Sequence, residues 1–214
     1  MIEVIGFMIG YCIGSIPTAY LMVKKNNGMD ITQNGSGNVG ALNSYNVSNS
    51  KVIGAGVLLL DFLKGAISVW LITLMFGIDF RIEMLTLIGA VLSHCYSPWI
   101  GFKGGRGLAT AAGGFLLISY PVIIIWTIIW LIAMAFRRNV HFSNFSASFL
   151  TALLSITSAE ILIKYSFAPV NSELEYGFLF AVLFAIILVR HIEPIKEYLK
   201  TQNQKRLGKN DETN

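Results

Sequence analysis

The chain has 214 residues, of which 54% are hydrophobic and 13% charged. Soluble domains carry about a quarter charged residues, so this composition argues against an ordinary soluble fold and for helices packed in lipid. The net charge of +4 is too modest to suggest a nucleic-acid partner, and Cys12 and Cys95 fall in apolar runs where buried free thiols are expected. His94, His141 and His191 form no metal-ligand cluster, so neither a metal nor a cofactor is expected.

Seven apolar stretches follow one another at roughly 3–23, 52–77, 82–97, 106–118, 120–136, 146–167 and 176–190. They predict an all-α integral membrane protein, a helical bundle of seven spans in which some spans are short or broken. The first opens without a basic leader and reads as a retained span. Near its end Gly14-Ser15-Ile16-Pro17-Thr18-Ala19-Tyr20 places a proline among small residues. Pro17 removes a helical hydrogen bond and bends the helix. Close packing explains the small neighbours, while Ser15 can alternatively turn its hydroxyl into a polar site.

Next comes the polar run Asn34-Gly35-Ser36-Gly37-Asn38-Val39-Gly40, with Asn43 beyond it. Closely spaced glycines expose backbone N–H groups that cradle an anion, and Ser36 and Asn38 can complete its shell. A flexible linker is the competing reading. No Lys-Ser/Thr end and no preceding strand are present, so neither a Walker loop nor a dinucleotide fingerprint is indicated. In the second stretch Asp61 and Lys64 lie three residues apart. Charges in hydrocarbon must face the protein interior, so the two are expected to pair, or Lys64 to reach a phosphate with Asp61 holding it.

The third stretch ends at His94, and a second glycine island follows, Lys103-Gly104-Gly105-Arg106-Gly107. Cations flanking glycines suit an anion clamp because the backbone can approach as well. His94 either hydrogen-bonds a substrate oxygen or caps a broken span. Pro121, with Gly113-Gly114 before it, marks a break between the fourth and fifth stretches. His141 sits in a basic loop and invites no functional expectation. Arg190 and His191 close the last stretch, either as part of the site or as a snorkelling pair.

An odd number of spans puts the N-terminus outside and the C-terminus in the cytoplasm. That orientation gathers thirteen of the sixteen Lys and Arg on the cytoplasmic side. Both glycine islands then face the cytoplasm. Residues 1–195 form the membrane domain, and 196–214 form a basic tail expected as an interfacial helix followed by disorder. No serine or cysteine is placed beside a base as a nucleophile. Two anion sites at a lipid boundary suggest direct transfer from a bound activated donor to a polar acceptor.

These motifs together resemble the PlsY family, bacterial acyl-phosphate:glycerol-3-phosphate acyltransferases. The likeness runs through Gly14-Ser15-Ile16-Pro17, Gly35–Gly40 with Asn43, Asp61 with Lys64-Gly65, His94, Lys103-Gly104-Gly105, Ala109-Thr110 and Arg190-His191. It implies acyl transfer from acyl phosphate to the sn-1 hydroxyl of glycerol 3-phosphate, giving lysophosphatidic acid, in a bacterial inner membrane, with no protein nucleophile. It further implies Ser36, Asn38, Lys103 and His191 as catalytic residues. Ser15, Gly35, Gly37, Gly40, Asn43, Lys64, His94, Gly104, Gly105 and Arg106 are implied to bind substrate, with Asp61 and Pro17 structural. A monomer is expected. The chain departs from the family pattern at Thr32, Leu42, Asn46, Arg106, Pro194 and Glu197, positions that mostly hold cations or polar groups in the family. Those departures predict a weakened grip on the acceptor phosphate. They keep open a different hydroxyl acceptor, or a non-catalytic paralogue that binds acyl phosphate or phospholipid.

Overall fold

The computed structural model describes the backbone of residues 1–211 and side chains through residue 204; the end of the basic tail lies outside the described residues. The fold is all-α. Its helices are α1 (Ile2–Gly14), α2 (Thr18–Asn27), α3 (Ala41–Ser48), α4 (Lys51–Phe76), α5 (Phe80–Cys95), α6 (Leu108–Ile118), α7 (Tyr120–Arg137), α8 (Val140–Thr157), α9 (Ala159–Ile163), α10 (Glu173–Val189) and α11 (Ile192–Asp211). Short 3₁₀ turns at Ile31–Gln33 and Pro98–Ile100 shape the two loops that carry the glycine islands.

The seven-span expectation is corrected. Among the described residues three helical segments are long and apolar enough to cross a membrane: Ile2–Asn27, Lys51–Phe76 and Tyr120–Arg137. A fourth arises only if Glu173–Val189 and Ile192–Gln204, bent by 53°, count as one span. The physical reason is length and polarity. A helix rises about 1.5 Å per residue, so the 16 residues of α5 and the 11 of α6 fall short of a hydrocarbon core about 30 Å thick. The stretch expected at 146–167 is divided at Ser158 between α8 and α9. The polar side chains of Ser143, Asn144, Ser146, Ser148 and Ser155 dilute α8. Apolar runs with a helical period were counted as spans, although several belong to short helices inside the bundle.

The break in the first span falls where the sequence places it. Pro17 (φ −85, ψ 71) separates α1 from α2 and lets the Thr18 N–H fold back to Ile16 O at 2.9 Å. The break between α6 and α7 falls at Ser119. Gly113 instead serves packing: a Cβ there would overlap the Phe62 carbonyl, and one on Gly65 would overlap that of Thr110. α4 and α6 thus meet backbone to backbone, as small residues allow in membrane helices. Gly10, Gly14 and Gly89 do the same for α1 and α5.

The larger core gathers Met84, Leu87, Val91, Phe115, Tyr176, Phe180 and Phe184 from α5, α6 and α10. The outer faces are apolar too. On α7 only Val122 is buried, while Ile124, Ile128, Leu131 and Phe136 lie exposed. A face of that kind is stable against lipid rather than water.

Candidate active site

The two glycine islands are joined. Val39 N–H donates to Gly104 O at 3.2 Å, tying the first loop to the second. Between them opens a cleft of about 200 Å³. Asn38, Gly40, Ala41 and Leu42 line one wall, and Arg106, Gly107, Leu108 and Ala109 another. Asp61 and His94 lie at its base, and His191, Val140 and Asn144 close it.

Two helices start on this cleft. α3 begins after Gly40 and α6 after Gly107, and no side chain caps either one. Ser50, Asp79, Asn139 and Ser172 cap α4, α5, α8 and α10, while α1, α2, α7 and α9, which do not line the cleft, also start without a side-chain cap. Uncapped first turns present free N–H groups and the positive end of the helix dipole, which favours an anion. Arg106 adds a full charge. Burial and the charge of Arg190 lower its pKa, but a guanidinium stays protonated in proteins.

The first loop is built differently from a cup whose amides all converge. Asn43, buried on α3, is its hub. Its Oδ1 accepts from Ser36 N–H at 3.0 Å, and its Nδ2 donates to Asn38 O at 2.9 Å, Asn34 O at 3.1 Å and Ile31 O at 3.5 Å. Gly37 N–H donates to Asn34 O at 3.1 Å. Gly35 and Gly37 take φ of +62° and +68°, the left-handed region in which glycine is unstrained. Four amides of the run, those of Asn34, Ser36, Gly37 and Val39, are therefore spent on folding it. The donors of Gly35, Asn38 and Gly40 have no protein acceptor among the described residues.

The second island likewise divides its labour. Gly105 N–H donates to His94 O at 3.1 Å, and a Cβ on Gly105 would overlap His94 Nε2. Arg190 donates to Gly105 O through Nε at 3.1 Å and to Gly104 O through Nη2 at 3.0 Å, with its guanidinium 5.1 Å from the Tyr96 ring centroid. Arg190 is thus a strut rather than a snorkelling group. Gly104 and Gly105 let His94 and Arg190 approach.

Asp61 and Lys64 pair as the spacing predicts, with Nζ 2.8 Å from Oδ1. Thr18 Oγ1 donates to the same oxygen at 2.5 Å. Lys64 Nζ also donates to Ile16 O at 2.7 Å and lies 3.4 Å from His94 Nδ1. Its donors are committed inside the protein, and it lines a smaller cavity with Pro17 instead of the main cleft. Ser15 faces away from the cleft: it donates to Cys12 O at 2.7 Å and accepts from Trp99 Nε1 at 2.9 Å. Ser36 and Lys103 are exposed and do not line the cleft. Lys103 instead stands near Asp30, whose pKa is lowered chiefly by the Thr32 N–H and further by Lys103 and Lys24.

His191 is fully buried. Its Nδ1 lies 2.8 Å from Ile187 O, which fixes the proton there, and Nε2 has no partner among the described residues. The cleft wall therefore offers one bare imidazole nitrogen able to accept a hydrogen bond. Among the residues lining the cleft, Leu58, Leu108, Val140 and Asn144 escape the sequence reading, as does the role of His141 just outside it, which contacts Arg106. Asn139, the N-cap of α8, is the signal that would have put His141 on a helical first turn beside the site. Among the described residues no group of three or more His, Cys, Asp or Glu is arranged to hold a metal ion.

Residues 4–201 match the family model described as glycerol-3-phosphate acyltransferase. Glycerol-3-phosphate acyltransferase 2 of Thermotoga maritima is 35% identical over 198 residues, covering 92% of this chain and 93% of that protein. Glycerol-3-phosphate acyltransferase of Helicobacter acinonychis is 35% identical over 217 residues, covering 95% and 94%. The fold matches a crystal structure of PlsY, an integral membrane glycerol 3-phosphate acyltransferase, in its glycerol 3-phosphate form. The TM-score is 0.75 at 32% identity, over 93% of this chain and 92% of that one. The lysophosphatidic acid form matches with a TM-score of 0.74 at 30% identity, with the same coverage. With cradle, cation and imidazole gathered on one cleft and nearly the whole chain aligned, this protein belongs to the bacterial glycerol-3-phosphate acyltransferase family typified by PlsY.

Proposed function

We infer that this chain is a membrane enzyme that transfers a fatty acyl group from acyl phosphate to the sn-1 hydroxyl of glycerol 3-phosphate, giving lysophosphatidic acid. The observation that carries the reading is the convergence of two uncapped helix N-termini, Arg106 and the bare Nε2 of His191 on one cleft. The reaction needs two phosphate groups held side by side, and this arrangement supplies donors for both.

In this reading the donor phosphate rests on the N–H groups of Gly40 and the first turn of α3, with Asn38 beside it. The acceptor phosphate meets Arg106 and the start of α6. His191 Nε2 accepts a hydrogen bond from the acceptor hydroxyl and orients it. The hydroxyl oxygen attacks the acyl carbonyl, the carbon–oxygen bond to phosphate breaks, and the released phosphate takes the proton. Preorganised donors stabilise the charge as it moves to the leaving phosphate, so no protein nucleophile is required. Leu108 lines both the cleft and an apolar cavity between α6, α7 and α10, edged by Phe115, Trp126 and Phe184. That continuity gives the acyl tail a dry path away from the polar centre. Lys103, exposed near Asp30, acts as an entry cation, and Ser36 as a donor at the rim.

The cleft is assigned to the cytoplasmic face. Lys24, Lys25, Lys51, Arg137, Arg138 and Arg190 all stand at or beside helix ends, and setting these ends and the cleft on the inner side satisfies the positive-inside rule. An Arg138→Cys variant labelled by an impermeant thiol reagent only after the inner face is opened supports this placement; labelling of intact cells contradicts it. The function itself is tested by incubating the purified full-length chain with acyl phosphate and glycerol 3-phosphate. Lysophosphatidic acid and inorganic phosphate should appear in equal amounts. Acyl phosphate consumption that does not depend on glycerol 3-phosphate, or binding without turnover, would overturn it.

A further inference from the structure

His141 lies on the first turn of α8, outside the residues assigned so far. Its Nδ1 is 3.1 Å from Arg106 Nη1. A guanidinium only donates, so Nδ1 carries the lone pair and the proton resides on Nε2. Arg106 forms part of the catalytic cleft wall, whereas His141 opens on a second, polar cavity of about 390 Å³ shared with Arg137, Arg138 and Glu197. Among the described residues Arg106 makes no ion pair.

The choice of partner matters. A carboxylate would hold the guanidinium but cancel its field, weakening it toward an incoming dianion. A neutral imidazole fixes the geometry and leaves the charge whole. We propose that His141 is the positioning residue for acceptor recognition, holding Arg106 so that its remaining N–H groups face the phosphate of glycerol 3-phosphate. This rests on the acyl-transfer reading given above and names the residue that holds the acceptor-side cation of that site.

The arrangement is sensitive to pH. Burial first, and then the charge of Arg106, push the His141 pKa below its ordinary 6.5, with Glu197 opposing. The positive end of α8 acts in the same direction as Arg106. The groups facing His141 are Arg106 from the turn before α6, Glu197 from α11, Arg137 and Arg138 from the α7–α8 turn, and His191 from the α10–α11 turn. At neutral pH the ring accepts from Arg106. Protonation, displaced to pH below the ordinary histidine range, removes the acceptor and sets two cations together.

The test compares the full-length chain with His141→Ala and His141→Asn, since an asparagine Oδ1 can stand where Nδ1 does. Turnover with acyl phosphate gives kcat and KM for each substrate, and calorimetry with glycerol 3-phosphate alone gives affinity without turnover. Loss of a hydrogen bond to a charged group should raise the glycerol 3-phosphate KM and Kd about tenfold in His141→Ala. The acyl phosphate KM should stay unchanged and kcat should move less than about twofold, with His141→Asn restoring most of the affinity. As the pH is lowered from 7.5 through the range below 6.5 in which His141 takes up its proton, the wild-type Kd should rise more than that of His141→Asn; the substrate phosphate (pKa about 6) titrates in both and cancels in the comparison. Equal affinity in wild type and His141→Ala, or parallel pH curves for wild type and His141→Asn, would overturn the role. If His141→Ala does not fold, the comparison of wild type with His141→Asn decides alone. Absence of lysophosphatidic acid from the wild type would instead sink the acyl-transfer reading, while the calorimetric series still judges His141.

Discussion

Lys64 Nζ, carried on α4, lies 2.7 Å from Ile16 O, the carbonyl beside the break that Pro17 makes in the first span. At that break the Ile16 carbonyl holds only the tight-turn bond from Thr18 N–H, and this lysine gives it a second donor where lipid offers none. The same ammonium holds Asp61 at 2.8 Å, so one charge settles two groups that lipid cannot solvate.

Lys64→Met should therefore take from Asp61 its cationic partner, leaving only the Thr18 hydroxyl on that oxygen, and take from the Ile16 carbonyl one of its two donors. Removing one partner of a buried pair costs about 3–5 kcal/mol. A thermal denaturation series in detergent should show a large fall in Tm for Lys64→Met and a smaller one for the paired change Lys64→Met with Asp61→Leu. A double variant no better than the single would show that the pairing is not the source of the loss.

Asn43→Ala removes the hub of the first loop. Ser36 N–H and the carbonyls of Asn34 and Asn38 lose their partner, at a cost of about 1–3 kcal/mol. Because those groups set the shape of the donor cradle, the acyl phosphate KM should rise further than the glycerol 3-phosphate KM. Kinetic analysis at saturating co-substrate reads the difference, and an equal change in both would argue against a donor-side cradle.

Gly105→Ala pushes a methyl into the His94 ring, whereas Gly28→Ala meets no atom within 4 Å and carries only the strain of φ +68°. The first should cost about 1–3 kcal/mol through overpacking. It should also displace His94 and depress kcat/KM. The second should cost about 1 kcal/mol from backbone strain and leave kinetics intact. Comparable activity in the two would mean that His94 need not stay where it is.

Arg190→Lys keeps the charge but cannot reproduce the planar fork that holds both Gly104 O and Gly105 O. About tenfold lower kcat/KM with a modest drop in Tm is expected, since losing one charged hydrogen bond is worth on the order of 1.5–3 kcal/mol. Wild-type kinetics in this variant would reduce Arg190 to an interfacial charge.

Much of the site was legible because its chemistry is written in short, ordered motifs. The glycine islands, the Asp61–Lys64 pair and the break at Pro17 all follow from rules that act within a few residues. What stayed hidden depends on distant partners. Asn43 looks like a substrate donor until its amide is seen committed to four backbone groups, and Arg190 looks like a snorkelling charge until Gly104 and Gly105 arrive beside it. His141 lies 35 residues from Arg106, and no periodicity announces that contact. The span count failed for a related reason. Hydropathy reports which helices avoid water, but helices buried among neighbours satisfy that condition as well as helices that face lipid.

The backbone contact of Gly65 with Thr110 and of Gly113 with Phe62 has a mechanical consequence. With no side chain between them, α4 and α6 cannot slide or hinge without breaking van der Waals contact along their joint. Asp61 and the amide end of α6 therefore form an immovable jaw. The wall that Val140 and Asn144 of α8 contribute lies outside this backbone joint and is not held by it.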